Sequence, residues 1–119
     1  MPDRVEINLD ALSDLRTPWC MHVVATLRIA EHVVAGKLRI EQLAEAAECD
    51  RAILHAVLTV LVDHGVFEEP EPGRFEMNDA ARGLLDPARR LGLDLNGIGW
   101  RMAHAWGTLL PYVRGPSGI

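Results

Sequence analysis

The stretch LVDHGVFEEPEPGRFEMND, residues 61–79, limits the available folds more than any other part of the chain. An apolar helical pattern runs into Gly65, where a helix C-terminus favours a residue that accepts the left-handed conformation. Two short alternating runs follow, Val66 to Glu68 and Arg74 to Met77, separated by EPEPG, a sequence that reverses a hairpin. Asn78 then offers a side-chain oxygen to the amides of a new helix. Helix, hairpin and helix are thus fixed in order within a few residues.

The sequence just upstream completes the unit. LRIEQLAEAAECD (38–50) places Ile40, Leu43, Ala44 and Ala47 on one helical face, and Asp50 caps the next helix. That helix, RAILHAVLTVLVDHG, carries Ile53, Leu54, Val57, Leu58 and Leu61 at core spacing. Two helices joined by a tight turn and followed by a hairpin describe a winged helix-turn-helix, so the predicted fold class is mainly α with a small β-hairpin wing.

Helices flank this unit on both sides. Leu9 to Leu15 reads as a short helix ending before Thr17-Pro18, with Pro18 in the first turn of the next helix. From Trp19 to Ala35 apolar residues fall on most sides, which predicts a helix covered on more than one face and hence a subunit or domain interface. Downstream, Asn78 caps a helix over 79–85, and Asp86-Pro87 opens another segment. Leu93 to Val113 forms a last long pattern bearing Leu95, Ile98, Trp100, Met102, Trp106, Leu109, Leu110 and Val113. RGPSGI then reads as the start of a linker.

Composition excludes several functions. The 119 residues and 49% hydrophobic content suit one domain. The acidic, polar start from Met1 to Asp10 has no secretory pattern, and no apolar run reaches the roughly 18 residues of a membrane span. The expectation is a cytoplasmic protein without membrane contact. Cys20 and Cys49 lack any CxxC or Cys/His spacing and read as buried free thiols. The histidines, at 22, 32, 55, 64 and 104, have no helical partner among themselves, so no metal site is encoded within one segment. His64 suits the end of a helix, where its ring meets the dipole. No Gly-rich strand-to-helix turn and no nucleophile elbow is present, so no catalytic residue is assigned.

A winged helix invites the question of nucleic-acid reading, which needs cations on the second helix and on the wing. The outer face of that helix should hold Arg51, Ala52, His55, Ala56, Thr59 and Asp63, with one fixed cation. Within 61–79 six carboxylates (Asp63, Glu68, Glu69, Glu71, Glu76 and Asp79) face one base, Arg74, a local charge of −5. Phosphates would be repelled. The alternative function, a small dimeric winged-helix transcriptional regulator, therefore lacks its reading face, and no nucleic-acid partner is expected. A pure interaction module is a third reading.

The ordered elements resemble a known family. Residues 17–85, with the proline-led helix, QLA, the leucine-rich helix, GVF, GRF, a capped turn and LL, are similar to the N-terminal region of class I S-adenosylmethionine-dependent small-molecule O-methyltransferases. LDLNGIGWRMAHAWGTLLPYVRG, residues 93–115, narrows the likeness to the bacterial carminomycin 4-O-methyltransferase and aclacinomycin 10-hydroxylase group, which acts on anthracycline polyketides.

The resemblance implies a dimerisation and winged-helix domain over residues 1–115, and 116–119 opening a linker to a catalytic domain not in this chain. It implies a homodimer formed through the N-terminal helices, or association with a separate catalytic subunit. The substrate would be an aromatic small molecule. S-adenosylmethionine would be bound by the C-terminal domain and by no residue of this chain. Trp19, Met21, Asn96, Trp100 and His104 become the candidate substrate contacts, the last three at i, i+4 and i+8 on one predicted helical stripe. The same residues also suit an interface core or, for Asn96 and His104, a solvated face. Two departures stand out: the Gly-rich cofactor domain is absent, and HAVLTVL is nearly neutral where the family usually carries arginines.

Overall fold

The computed structural model describes residues 7–115. The linker expected over 116–119 lies outside the described residues. The chain is mainly helical, with one antiparallel hairpin, in the order α1 (Leu9–Leu12), α2 (Arg16–Thr26), α3 (Ile29–Val34), α4 (Ile40–Ala47), α5 (Arg51–Asp63), β1 (Glu68–Glu71), β2 (Arg74–Glu76), α6 (Asp79–Arg82), α7 (Pro87–Leu93), α8 (Ile98–Trp106) and α9 (Leu109–Arg114). A short 3-10 turn, Gly83–Leu85, extends α6.

Helix starts follow the caps. Asp50 Oδ2 accepts from the Ile53 amide at 2.8 Å, Asn78 Oδ1 from Ala81 at 2.9 Å and Asp86 Oδ2 from Arg89 at 3.2 Å. α2 begins two residues before Pro18 because the Asp14 carboxylate takes the Arg16 and Thr17 amides at 2.9 and 3.3 Å, which puts proline within the first turn.

The apolar run from Trp19 to Ala35 is two helices rather than one. Arg28 sits in the left-handed region (φ 58°), a conformation costing a non-glycine residue roughly 1–2 kcal/mol. Across the break Cys20, Val24 and Ala25 of α2 and Ile29, Ala30 and Val33 of α3 all turn into one core. The single core thus covers most of what the sequence predicted to need an outside partner, leaving Trp19 and Val34 as the large exposed apolar side chains of the run.

That core joins α2 to α6 and the wing. Leu43, Leu58, Leu61, Ile29 and Phe75 are each at 0% exposure, with Phe67 at 1%. Burying a side chain of this size stabilises by about 1.5–3 kcal/mol. On α5 the buried positions are Leu54, Leu58 and Leu61, whereas Ile53, expected in the core, is 67% exposed.

The hairpin is shifted from its predicted limits. Val66 donates back to the Leu61 carbonyl at 2.8 Å, still closing the helix end, and Phe67 turns left-handed (φ 67°), so β1 starts only at Glu68. β1 and β2 pair Glu68 with Glu76 and Glu71 with Arg74, with an irregularity between. A further strip of chain joins them. Ile40 donates to the Gly73 carbonyl and Phe75 to the Leu38 carbonyl, both at 2.8 Å, tying the start of α4 to the wing. Asn78 closes the unit: besides capping α6 it accepts from the Phe67 amide at 3.2 Å and donates to the Gly65 carbonyl at 3.0 Å.

Candidate functional site

The wing and the outer face of α5 are the surface a nucleic-acid reader would use, and here they are joined to each other. His55 Nε2 donates to Glu69 Oε2 at 2.8 Å, and the His55 ring meets Phe75 edge-on at 5.6 Å between centroids. The same carboxylate oxygen accepts from the Gly73 amide at 2.7 Å. Burial raises the Glu69 pKa, but the Gly73 amide and His55 outweigh it, and the group is held below the usual carboxylate value. The other cations here are matched as well, with Arg51 3.8 Å from Glu41 and Arg74 3.4 Å from Glu76. The face is closed and acidic.

Apolar surface gathers instead at the two ends of the chain. In α1 and just beyond it, Leu9, Leu12 and Leu15 are at least 72% exposed. Ile98, Trp100, Met102 and Trp106 of α8 and Leu109, Leu110, Tyr112 and Val113 of α9 are likewise exposed. Amphipathic helices with uncovered apolar stripes are built to meet another surface. His22 and Thr26 of α2 fix the approach of the last helices. His22 Nδ1 donates to the Leu93 carbonyl at 3.0 Å, and Thr26 Oγ1 accepts from the Leu95 amide at 2.8 Å while donating to the His22 carbonyl at 2.7 Å.

The predicted substrate contacts fall into two groups. Trp19 lies on α2 with its indole 5.5 Å from the His22 ring, tilted by 53°. Met21, partly buried against the core, lines a groove with Ala11, Asp14, Thr17, Pro18 and His64. Trp100 and His104 stack on α8 at 5.8 Å and 27°. Asn96 departs from the expected stripe. It lies in the turn between α7 and α8, where its amide bonds to Asp94 Oδ1 at 2.9 Å and the Gly97 amide to the Asp94 carbonyl at 3.2 Å, because the long pattern from Leu93 breaks there. Even so, Asn96 and Trp100 line one recess of about 420 Å³ with Leu95, Gly97, Ile98 and Arg101. Arg101 was not singled out in the sequence, where an arginine on a mixed helix reads as a solubilising charge.

His64 donates from Nδ1 to the Val60 carbonyl at 2.9 Å, as suits the end of α5. Cys20 and Cys49 are free thiols, and burial pushes both pKa values up, which suppresses the reactive thiolate. No helix among the described residues is long and apolar enough to cross a membrane.

Comparison with known proteins identifies this arrangement. The model of the O-methyltransferase dimerisation domain matches residues 9–87. The chain belongs to that family. The dimerisation domain is 36% identical over 93 residues to 2,7-dihydroxy-5-methyl-1-naphthoate 7-O-methyltransferase of Streptomyces carzinostaticus, covering 76% of this chain and 28% of the relative. It is 31% identical over 115 residues to aclacinomycin 10-hydroxylase RdmB of Streptomyces purpurascens, covering 92% of this chain and 31% of the relative. It also superimposes on the crystal structure of the O-methyltransferase NcsB1 from neocarzinostatin biosynthesis, in complex with S-adenosylmethionine and 2-hydroxy-5-methyl naphthoic acid. That match has a TM-score of 0.86 and 31% identity over 94% of this chain and 35% of NcsB1. The dimerisation domain therefore spans about a third of the length of these proteins.

Proposed function

We propose that this chain is the dimerisation and substrate-capping part of an S-adenosylmethionine-dependent O-methyltransferase, or of a methyltransferase-like hydroxylase, of bacterial aromatic polyketide biosynthesis. The observation that carries the reading is the placement of uncovered apolar side chains on the helices before and after a self-sufficient winged-helix core. Residues 1–115 are the domain and 116–119 begin the linker to a catalytic partner, in the same polypeptide or in a separate subunit. α1 and α2 pair with a second copy, and α8 and α9 extend that contact and cover the substrate.

The cofactor belongs to the catalytic partner. What this chain contributes is position and exclusion of water. Trp19, Trp100 and Met21 supply apolar contact to an aromatic ring, and Asn96 and His104 supply polar contact at its edge. Holding a reactant in place in a water-poor pocket lowers the barrier without any group of the cap entering the reaction.

Sedimentation velocity on a concentration series of this chain is the direct test. A dimer is expected, and a clean monomer at high concentration would contradict the reading. In the intact enzyme Trp100→Ala should weaken substrate binding while leaving the dimer whole, and unchanged affinity would remove Trp100 from the cap.

A further inference from the structure

We propose that two copies of this chain assemble by a charge-matched exchange, in which the acidic, leucine-bearing α1 of one copy lies in the basic, aromatic elbow between α8 and α9 of the other. This rests on the reading of the chain as a dimerisation domain and adds which elements meet and what selects them. Both elements expose apolar stripes. Leu9, Leu12 and Leu15 recur at every third residue along α1 and the turn after it, each at least 72% exposed. α8 and α9 are joined by a turn at Gly107 and leave a cleft of about 280 Å³ lined by Ala105, Trp106, Thr108, Leu109 and Tyr112. An apolar helical stripe seats in a groove of this kind through its large side chains. Within one chain neither stripe covers the other: α1 buries no residue, and Trp106 and Tyr112 are 70% and 82% exposed.

Charge sets the pairing. All 17 acids of the chain lie at or before Asp94, so residues 96–115 carry Arg101, His104 and Arg114 and no carboxylate. From Ile7 to Leu15 the signs reverse, with Asp10 and Asp14 and no base. Two α1 helices brought together would repel, and so would two arms. α1 against the arm is the combination that joins opposite charge and apolar surface. Because each copy offers both elements, the contact is made twice about a two-fold axis and closes. Asp14 also holds the Arg16 and Thr17 amides at the start of α2, which makes Asp10 the carboxylate to reverse.

The test is sedimentation equilibrium of the full chain at neutral pH, at low and at high sodium chloride. The dissociation constant should rise with salt, which screens exposed charge pairs and leaves apolar contact in place. Arg101→Glu with Arg114→Glu should raise it roughly tenfold at low salt, since two like-charge contacts are each made twice. Asp10→Lys should raise it as well, although this change brings the net charge nearer zero. The three substitutions together should recover much of the wild-type affinity. Tightening by Asp10→Lys would assign the effect to net charge, and no recovery in the triple variant would assign the separate losses to fraying of α1 or of the arm. Either result overturns the exchange and leaves the dimer standing, as does a dissociation constant indifferent to salt and to both reversals. A clean monomer at high concentration overturns both.

Discussion

Among the described residues every buried apolar side chain lies between Cys20 and Leu84, while α1, α7 and α9 bury none, although the ends of the chain are at least as rich in leucine and tryptophan as the middle. The radius of gyration, 17.1 Å, exceeds the roughly 13–14 Å of a compact chain of this length, as helices standing off a core require. Apolar content alone does not say where burial happens. In the middle it closes on itself through short-range caps and a hairpin; at the ends it waits for a second surface.

Substitutions can break or sharpen that contrast. Phe75→Ala, at 0% exposure beneath the wing, should destabilise by about 3–5 kcal/mol in urea denaturation, whatever the protein concentration. Trp106→Ala, 70% exposed on α8, should leave the denaturation of dilute protein within about 0.5 kcal/mol of wild type. Its effect should appear in sedimentation equilibrium, as a dissociation constant raised roughly tenfold or more, as for a buried aromatic anchor of an interface. Loss of dilute-state stability in Trp106→Ala would erase the distinction between the two regions. Asn78→Ala, which removes the α6 cap and the link to Phe67 and Gly65, should cost about 1–2 kcal/mol.

A smaller effect concerns acid. The Glu69 pKa is lower folded than unfolded, so its stabilisation is fully present above the ordinary carboxylate value of 4.5 and is lost as pH falls through the folded value. Urea midpoints measured from neutral pH downward should fall more steeply in wild type than in Glu69→Gln. Parallel curves would mean that the tie between His55 and the wing does not carry the shift. Smallest of all is Gly83→Ala. Its Cβ would lie 2.5 Å from the Arg89 guanidinium, which moves aside and gives up its bond to the Gly83 carbonyl, so a change of a few tenths of a kcal/mol is expected in the same assay.

What was legible in the sequence was local. Asp50, Asn78 and Asp86 mark helix starts, and Gly65 marks an end, because a cap needs only its neighbours within three residues. The winged helix follows from their order. Contacts closing over longer separations were not legible: the strip at Leu38 to Ile40 that joins β2, the pairing of His55 with Glu69, and the anchoring of Leu93 and Leu95 on α2. Helix breaks at Arg28 and at Asp94 to Gly97 were hidden for a related reason. At Arg28 the apolar spacing continues without proline or glycine, so nothing marks the turn that places both halves on one core; at 94–97 the Asn96-Gly97 turn signal is masked by apolar residues on both sides. Of the candidate contacts, the stacking of Trp100 with His104 was visible as helical spacing, whereas the seat of Asn96 in a turn was not.

The two side chains His22 and Thr26 bind an early helix to the peptide units that precede α8. A partner that shifts α2 would therefore carry the start of the α8 arm with it, and a ligand that shifts that arm would act back on α2. Thermodynamic linkage makes the two effects equal in factor, so assembly and ligand capture in this small domain would be coupled in both directions through one helical turn.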